Sequence, residues 1–308
     1  MGVAVITGAS SGIGKEFARK LKSILGVKEF WFIARREEEM KKLSEELRVR
    51  AKIISADLCT NEGIEKVRSA LEAERPKISH LINAAGFGDF GSFDEISETS
   101  VVRMIDLNVK ALVLITHMAI PDMTRGGKII ELGSGSCFTP LPYFNVYSSS
   151  KTFVLHYTKA LNYEIKKYGI TATCFCPGWV KTEFIDKALQ DGNTTHPKNM
   201  RPLLEAERVV EGCIRAAERG KRMYVVNWFT KLQHVLFKLL PDCILSRLWL
   251  GMLEHPEDKK AAERRENTDS AERIGNVPEE EPLADTELTG ADAQEACELQ
   301  DAGLENEE

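Results

Sequence analysis

The sequence predicts an α/β protein with a single doubly wound domain, in which a seven-stranded parallel sheet is covered by helices on both faces. Two observations support this fold class. Short runs rich in Val, Ile, Phe and Leu recur along the chain, and such nearly continuous apolar runs are typical of strands buried on both faces. Longer stretches with helical periodicity lie between them and suit the crossovers that parallel strands require. Ligands of such folds bind beyond the carboxyl ends of the strands.

The predicted elements alternate along the chain. Each predicted strand is a short apolar run, and these runs are Val3–Thr7, Phe30–Ile33, Lys52–Ser55, His80–Asn83, Lys128–Leu132, Thr171–Cys176 and Met223–Val226. Each predicted helix is long and amphipathic, and these stretches are Ser11–Ile24, Glu37–Leu47, Asn61–Ala73, Glu98–Ile120, Val146–Tyr168 and Glu205–Glu218. No linker divides residues 1–253, which we therefore assign to one domain.

The charge of the chain is concentrated at its end. Residues 254–308 hold 19 acidic and 5 basic residues, so they carry −14 while residues 1–253 carry +8. This tail has no aromatic residue and few aliphatic ones, which predicts disorder because little apolar surface could offset the entropy of ordering. A helix around Lys260–Arg273 and an interaction role for the tail are the alternatives.

Cysteine usage and apolar runs bear on the compartment. The seven Cys include no paired CxxC units with His, so neither a zinc site nor a disulfide framework is indicated, and no metal is expected. The chain opens on a strand-like run without a signal peptide, and no apolar run reaches the ~18 residues of a membrane span. We expect a reduced, cytoplasmic compartment and no nucleic-acid partner. Cys174 and Cys176 alternate on a strand and should share a face as small core residues.

A glycine-rich turn, TGASSGIG at residues 7–14, joins the first predicted strand to the first predicted helix. Glycines let a backbone turn tightly and approach a pyrophosphate, and the positive end of the helix favours the anion, which predicts a Rossmann-type dinucleotide site. Alone, such a turn is a weak signal, and a purely structural turn is the alternative. The residues assigned to this site are Gly8, Ser10, Ser11, Gly12, Ile13 and Gly14.

Two arginines after the second predicted strand bear on the choice of dinucleotide. An NAD site usually has an acidic residue there that binds the ribose 2′-hydroxyl, whereas this chain has Arg35 and Arg36. A guanidinium fork suits a 2′-phosphate, so NADP(H) is favoured and NAD(H) is the alternative. The arginines could also simply open the next helix and pair with Glu37–Glu39.

Several separate motifs together resemble the short-chain dehydrogenase/reductase family over residues 1–226. Asp57-Leu58 follows the third strand, Asn83-Ala84-Ala85-Gly86 closes the fourth, and Tyr147-Ser148-Ser149-Ser150-Lys151 is a YxxxK motif with Ser134 thirteen positions before its tyrosine. Asn108 and Pro177-Gly178-Trp179-Val180-Lys181-Thr182 also match. The resemblance implies that Asn108, Ser134, Tyr147 and Lys151 are catalytic. It also implies that Asp57, Leu58, Asn83, Ala84, Gly86, Tyr147, Lys151, Pro177, Gly178, Val180 and Thr182 bind the cofactor, and that the protein is a homo-oligomer.

The implied reaction interconverts a carbonyl and a secondary alcohol. Hydride transfer to a carbonyl carbon leaves negative charge on oxygen, so the site must donate a proton and stabilise that oxygen. Tyr147 would donate the proton, Lys151 would lower the pKa of the phenol, and Ser134 would bind the substrate oxygen. Asn108, interrupting its helix, would hold a water. One departure is Gly133, where many members carry a second serine.

The predicted substrate loops are rich in large apolar residues. They contribute Phe90, Phe93, Phe138, Leu141, Pro142, Tyr143, Phe144, Trp179 and Phe184, which favours a lipophilic substrate such as a hydroxysteroid or a long-chain oxoacyl compound. Residues Trp228–Leu253 form an amphipathic, basic segment. It is either a helix packed over the cleft or on a second subunit, or an interfacial membrane helix.

Two other functions stay open at this stage. The fold could serve as a nucleotide-sensing or scaffold module without turnover, although the complete Asn-Ser-Tyr-Lys set argues against this. The chain could also be a membrane-surface interaction protein built on Trp228–Leu253.

Overall fold

The computed structural model describes residues 2–24, 26–189, 195–226, 231–232 and 239–255, all within the first of two units, Met1–Pro256 and Glu257–Glu308, into which the chain separates. Seven strands form the main sheet: β1 (Gly2–Thr7), β2 (Val27–Ala34), β3 (Arg50–Ser55), β4 (Ile78–Asn83), β5 (Met123–Leu132), β6 (Thr171–Cys176) and β8 (Met223–Val225). Their order is β3-β2-β1-β4-β5-β6-β8 and every pairing is parallel. The predicted doubly wound, seven-stranded sheet is confirmed.

Helices cover both faces of this sheet. They are α1 (Gly12–Leu21), α2 (Glu37–Leu47), α3 (Asn61–Glu74), α4 (Glu98–Ile105), α5 (Leu112–Ala119), α6 (Asn145–Glu164), α7 (Glu183–Ala188), α8 (Ala206–Glu218) and α9 (Asp242–Leu250). The predicted helix Glu98–Ile120 is α4 and α5 joined by a π-helical turn over Asp106–Ala111, which contains Asn108, where the family resemblance implies an interruption. The π turn keeps the chain helical, so the apolar periodicity does not reveal it.

The core has two layers because neighbouring strand residues face opposite sides. Ile6 belongs to the layer under α1, α2 and α8, whereas Val5 belongs to the layer under α3, α5 and α6. Both side chains are fully buried. The strands are therefore apolar at successive positions, as a sheet covered on both faces requires.

The helical run Glu98–Asp122 is, by length and hydropathy, apolar enough to cross a membrane, contrary to the expectation from apolar runs alone. Here it packs on the sheet. Met104, Ala111 and Ile115 are buried, and the last two belong to the core layer shared with α6. This packing is that of a core helix, so the composition of the run is weak evidence for a membrane span.

The end of the amphipathic segment is described only in part. Residues 228–230 and 233–238 lie outside the described residues, as do 256–308 with the proposed acidic tail and its Lys260–Arg273 helix. Helix α9 buries Leu245 and Trp249, and the Trp249 indole donates to Pro142 O at 2.8 Å. The residues that follow α9 form β9 (Leu253–Glu254), which pairs in antiparallel fashion with β7 (His196–Pro197). Helix α9 thus packs over the predicted substrate loop.

Candidate active site

A cavity of about 920 Å³ opens at the carboxyl ends of the strands, where a doubly wound fold binds its ligands. Its walls come from the turns after β1 to β6 and from α6, α7 and α9. Ser134, Tyr147 and Lys151 line it directly. The volume falls within the range of small-molecule and cofactor sites.

Helix α6 presents Tyr147 and Lys151 on one face, one turn apart, and both side chains are buried. The Lys151 Nζ donates to Leu132 O at 2.8 Å and lies 5.6 Å from the centroid of the Tyr147 ring. Ser134, at the turn after β5, hydrogen-bonds with Tyr147 through its side chain. The structure therefore brings these three predicted residues together.

The π-helical turn carries Asn108 to the back of the same site. Its Nδ2 donates to Phe87 O at 2.9 Å and to Ser150 Oγ at 3.1 Å, and its Oδ1 accepts from the Phe87 N–H at 3.2 Å. A Cβ on Gly86 would lie 2.9 Å from Asn108 Oδ1 and 3.3 Å from Lys151 Nζ, so both polar groups crowd the same backbone position. The proposed role of Asn108 in holding a water stays a prediction.

The protonation of Tyr147 differs from the expectation. Burial raises the pKa of the phenol, and the hydrogen bond with Ser134 acts in the opposite direction. The ring stacks on Phe144 at 4.4 Å and lies 5.5 Å from the ring of Phe184, so apolar groups replace the water that would solvate a phenolate. The net shift is therefore upward, opposite to the lowering expected from Lys151, because the effect of burial is the largest. At neutral pH the phenol is a proton donor.

Burial also acts on Lys151, lowering its pKa to about 8. An ammonium with a pKa this close to neutrality can both hold and release a proton under ordinary conditions. Tyr147 and Lys151 thus form a pair of buried groups whose charge depends on their surroundings.

The glycine at position 133 has a packing reason. A Cβ there would lie 2.7 Å from Cys174 Sγ, 3.1 Å from Phe175 O and 3.3 Å from Cys176 Sγ. Cys174 and Cys176 are fully buried with their sulfurs 3.6 Å apart, as predicted for two core thiols on one strand face. The two thiols occupy the space that a serine side chain would need.

The glycine-rich turn has the shape of a dinucleotide cradle. Gly8 adopts φ +69°, a left-handed conformation that favours glycine, and a Cβ on Gly14 would lie 2.3 Å from Gly8 O. The turn runs directly into α1, whose N-terminus offers backbone N–H groups to an anion. The predicted residues Gly8, Ser10, Ser11, Gly12, Ile13 and Gly14 all line the cavity, so this end fits a nicotinamide dinucleotide.

Two charged pairs mark the adenosine end. Arg36 lies 3.1 Å from Glu183 across the mouth of the cavity, and its guanidinium is within 3.5 Å of Ser10 O. Asp57 pairs with Arg103 at 3.1 Å. A backbone hydrogen bond from Cys59 and the Arg103 guanidinium lower the pKa of Asp57, although burial acts against them. Arg36 therefore pairs with α7 and not with Glu37–Glu39 of its own helix.

Most of the other predicted cofactor residues also line the cavity. They are Arg35, Leu58, Ala84, Gly86, Pro177, Gly178, Val180 and Thr182. Asn83 is the exception, because it does not line the cavity, and its assignment to the cofactor site stays a prediction. Its buried side chain turns away beneath the end of the sheet, where Nδ2 donates to Thr116 Oγ1 at 2.8 Å.

Of the large apolar residues in the predicted substrate loops, some line the cavity and others do not. Phe138, Leu141, Phe144, Trp179 and Phe184 line the cavity as predicted. Phe90, Phe93, Pro142 and Tyr143 do not: Phe90 is buried behind Phe144 in a ring stack at 4.0 Å, and Phe93 is 88% exposed. The wall residues that sequence reasoning did not assign include Leu245, Leu248, Trp249 and Met252 of the C-terminal segment. Their helical spacing was visible, but nothing in it says which face meets the cavity.

The chain was compared with known proteins. The sequence model of the family described as short chain dehydrogenase matches residues 2–193. An inactive hydroxysteroid dehydrogenase-like protein 1 of Homo sapiens is 32% identical over 188 residues, covering 58% of this chain and 56% of that protein. An 11-beta-hydroxysteroid dehydrogenase A of Sesamum indicum is 28% identical over 247 residues, covering 74% and 69%.

Solved structures share the fold. A short-chain dehydrogenase from Sphingobium yanoikuyae in complex with NADPH superposes with a TM-score of 0.66 at 25% identity, covering 78% of this chain and 95% of that one. A short chain dehydrogenase/reductase from Burkholderia phymatum in complex with NAD gives 0.64 at 23% identity, covering 77% and 94%. The fold, the cavity and the family match agree, and this chain belongs to the short-chain dehydrogenase family of oxidoreductases.

Proposed function

We propose that the protein is an NADP(H)-dependent oxidoreductase that interconverts a carbonyl and a secondary alcohol on a lipophilic substrate. The observation that carries this proposal is the convergence of Ser134, Tyr147 and Lys151 on one wall of a cavity whose other end is a glycine-rich dinucleotide cradle. Asn108 supports the set from behind.

The chemistry follows from what each group can do. A bound nicotinamide supplies or takes up the hydride. In the reducing direction the buried Tyr147 phenol donates its proton to the substrate oxygen, while the Ser134 hydroxyl fixes that oxygen by a hydrogen bond. Lys151 supplies the nearby positive charge that favours the resulting phenolate. In the oxidising direction the same groups act in reverse, with the phenolate accepting the alcohol proton.

The preference for NADP(H) rests on Arg35 and Arg36. Both line the cavity beyond β2, where an acidic side chain would be expected for a ribose 2′-hydroxyl. Guanidinium groups bind a phosphate with two parallel hydrogen bonds and full charge complementarity. The NADPH complex of the Sphingobium neighbour is consistent with this preference, and the NAD complex of the Burkholderia neighbour keeps NAD(H) as the alternative.

A lipophilic substrate is supported by the substrate end of the cavity. Phe144 and Phe184 lie beside Tyr147, and Trp179 together with Leu248 and Trp249 of α9 also line the cavity. The Sesamum relative named as an 11-beta-hydroxysteroid dehydrogenase points to the same class. We therefore propose a hydroxysteroid or a long-chain oxoacyl compound.

The test is oxidation of NADPH, with NADH in parallel, across steroid ketones, long-chain oxoacyl thioesters and small aldehydes. We expect turnover of one lipophilic class with NADPH. Tyr147→Phe should keep NADPH binding and lose nearly all turnover, because it removes the proton donor but leaves the ring. The human relative is named as inactive, so binding without turnover across the panel would favour a sensing module and refute the proposal.

A further inference from the structure

Glu131, near the end of the central strand β5, is a fully buried carboxyl group. In register it lies between Asn83 on β4 and Cys174 on β6. An ionised carboxylate away from water is costly unless it is paired and hydrogen-bonded. A fully buried glutamate in a strand between two others therefore calls for a specific reason.

The hydrogen bonds of Glu131 are incomplete. Its Oε1 is 2.8 Å from Thr116 Oγ1 and 3.4 Å from Asn83 Nδ2. Its Oε2 has no hydrogen-bond partner among the described residues, and neither has Asn83 Oδ1. An ionised carboxylate offers about four acceptor sites, and the two on Oε2 are unused here.

The contact with Thr116 fits either protonation state of Glu131. The Thr116 hydroxyl has one proton and lies 2.8 Å from both Leu112 O and Glu131 Oε1. If that proton goes to Leu112 O, Glu131 can be a neutral acid that donates to Thr116 Oγ1. If it goes to Glu131, the carboxylate is ionised. The cluster can thus gain or lose one proton without moving a heavy atom.

The charged and titratable groups that face Glu131 come mainly from α6. Lys151 interacts with it electrostatically, and so does Tyr157, whose side chain hydrogen-bonds with Thr116 of α5. Cys174 flanks it on β6, while β4 contributes only the uncharged Asn83. Lys151 also donates to the carbonyl of Leu132, the residue after Glu131. Two neighbouring residues of β5 therefore interact with Lys151.

We propose that Glu131 is a positioning residue for the reaction proposed above, on which this inference rests: its buried carboxyl is the counter-charge of Lys151 and sets the pH at which the Tyr147–Lys151 pair exchanges its proton. Burial raises the pKa of Glu131 to about 7, and the charge of Lys151 offsets part of that shift. Burial lowers the pKa of Lys151 to about 8, and Cys174, Cys137 and Glu131 offset part of that shift. Near neutral pH a change in the charge of Glu131 therefore acts on Lys151.

The sign of the effect is fixed by electrostatics. A nearby negative charge favours the protonated form of every neighbouring group. Replacing it with a neutral side chain must therefore lower the pKa of Lys151. Glu131→Gln keeps the shape of the side chain and removes the charge, whereas Glu131→Asp keeps the charge.

The first experiment is the pH dependence of kcat and kcat/KM for the wild type, for both Glu131 variants, and for Glu72→Gln, which changes an exposed glutamate on α3. In Glu131→Gln we expect the apparent pKa of the catalytic pair to fall by on the order of one unit. Glu131→Asp and Glu72→Gln should keep the wild-type profile. A Glu131→Gln profile that superimposes on the wild type, with only a lower kcat, would show a merely structural role.

The second experiment needs neither a substrate nor a variant that folds. Wild-type protein carrying ¹³C-labelled glutamate carboxyls is titrated by NMR, with Glu131→Gln used to assign the resonance where it folds. We expect one carboxyl to titrate near neutral pH, and the absence of any glutamate that titrates above pH 6 would overturn the proposal. Because this titration is independent of turnover, a failed substrate panel would refute the proposed function without deciding the state of Glu131.

Discussion

At the scale of single residues, how readily a charged side chain binds a ligand depends on the ion pairs that it already forms. Arg36 is the main candidate for binding a 2′-phosphate, and Glu183, the first residue of α7, already pairs with it. Lys187 also binds Glu183 at 2.9 Å and is the main cause of the lowered pKa of that carboxyl. Exposed pairs of this kind contribute only about 1 kcal/mol or less. A 2′-phosphate carries more negative charge than the Glu183 carboxylate, so it can replace Glu183 as the partner of Arg36. Glu183 then still pairs with Lys187.

This competition predicts opposite effects of two substitutions on cofactor affinity. Glu183→Gln should tighten NADPH binding by roughly 2- to 5-fold, because Arg36 no longer has to leave a carboxylate. Arg36→Ala should weaken NADPH binding by about tenfold or more. The dissociation constant for NADH should change little in either variant.

Titration of each variant with NADPH and with NADH, followed by nucleotide fluorescence, measures these constants. Glu38→Gln is the matched control, since it breaks an exposed pair with Lys41 on α2. Equal effects of Arg36→Ala on both nucleotides would contradict the assignment of this arginine to the 2′-phosphate.

At the scale of elements, the sequence predicts strands and helices well and their departures from regularity poorly. The β1–turn–α1 unit and α6 can be predicted from their periodicity and motifs. One arrangement of each both buries the apolar side chains and satisfies the backbone hydrogen bonds. The π turn at Asn108 depends on tertiary bonds to Phe87 and Ser150, which no local pattern encodes. The raised pKa of Tyr147 is missed for the same reason, since Phe144 and Phe184 reach it only in the folded chain.

Gly133 offers a test of packing between β5 and β6. Gly133→Ser should lower the free energy of unfolding by about 1–3 kcal/mol, because its Cβ would overlap Cys174 Sγ. Adding Cys174→Ala should restore part of this loss, since it removes the sulfur. Thermal and urea unfolding of the single and double variants measure the coupling.

Cys213→Ala is the control for the Gly133 test, because Cys213 is equally buried but lies on α8. The free energy of unfolding that Cys213→Ala loses should add to the loss from Gly133→Ser, so the double variant should show no rescue. If the losses from Gly133→Ser and Cys174→Ala were also purely additive, the Cys174 thiol would not be the group that limits the space at Gly133.

At the scale of the whole molecule, the cavity continues onto an exposed apolar surface. Leu248 and Met252 line the cavity and are also 61% and 53% exposed, and Leu239 and Ile244 lie exposed nearby in sequence. Apolar surface of this kind often marks a site of interaction. We propose that this surface rests on a lipid interface, from which a lipophilic substrate enters. The homo-oligomer implied by family resemblance stays a prediction.

The lipid contact predicts a loss of vesicle binding on substitution. Leu248→Glu combined with Met252→Glu should abolish co-sedimentation with anionic phospholipid vesicles, because two charges would enter the apolar layer. NADPH binding should be retained. Tyr168→Glu, which charges an exposed aromatic residue after α6, should sediment like the wild type. Failure of the unmodified protein to sediment would contradict the proposed contact.

The helical run Glu98–Asp122 also has a consequence for biosynthesis. Its apolar character is matched to the sheet it covers, yet the ribosome makes this run before it makes β5 and β6. Until those strands arrive, 25 residues with the hydropathy of a membrane span must stay in water. Variants that delay the closing of the sheet should therefore be lost as insoluble material during expression, even where the folded protein would be stable. Slower synthesis at lower temperature, or a chaperone that shields this run, should recover them.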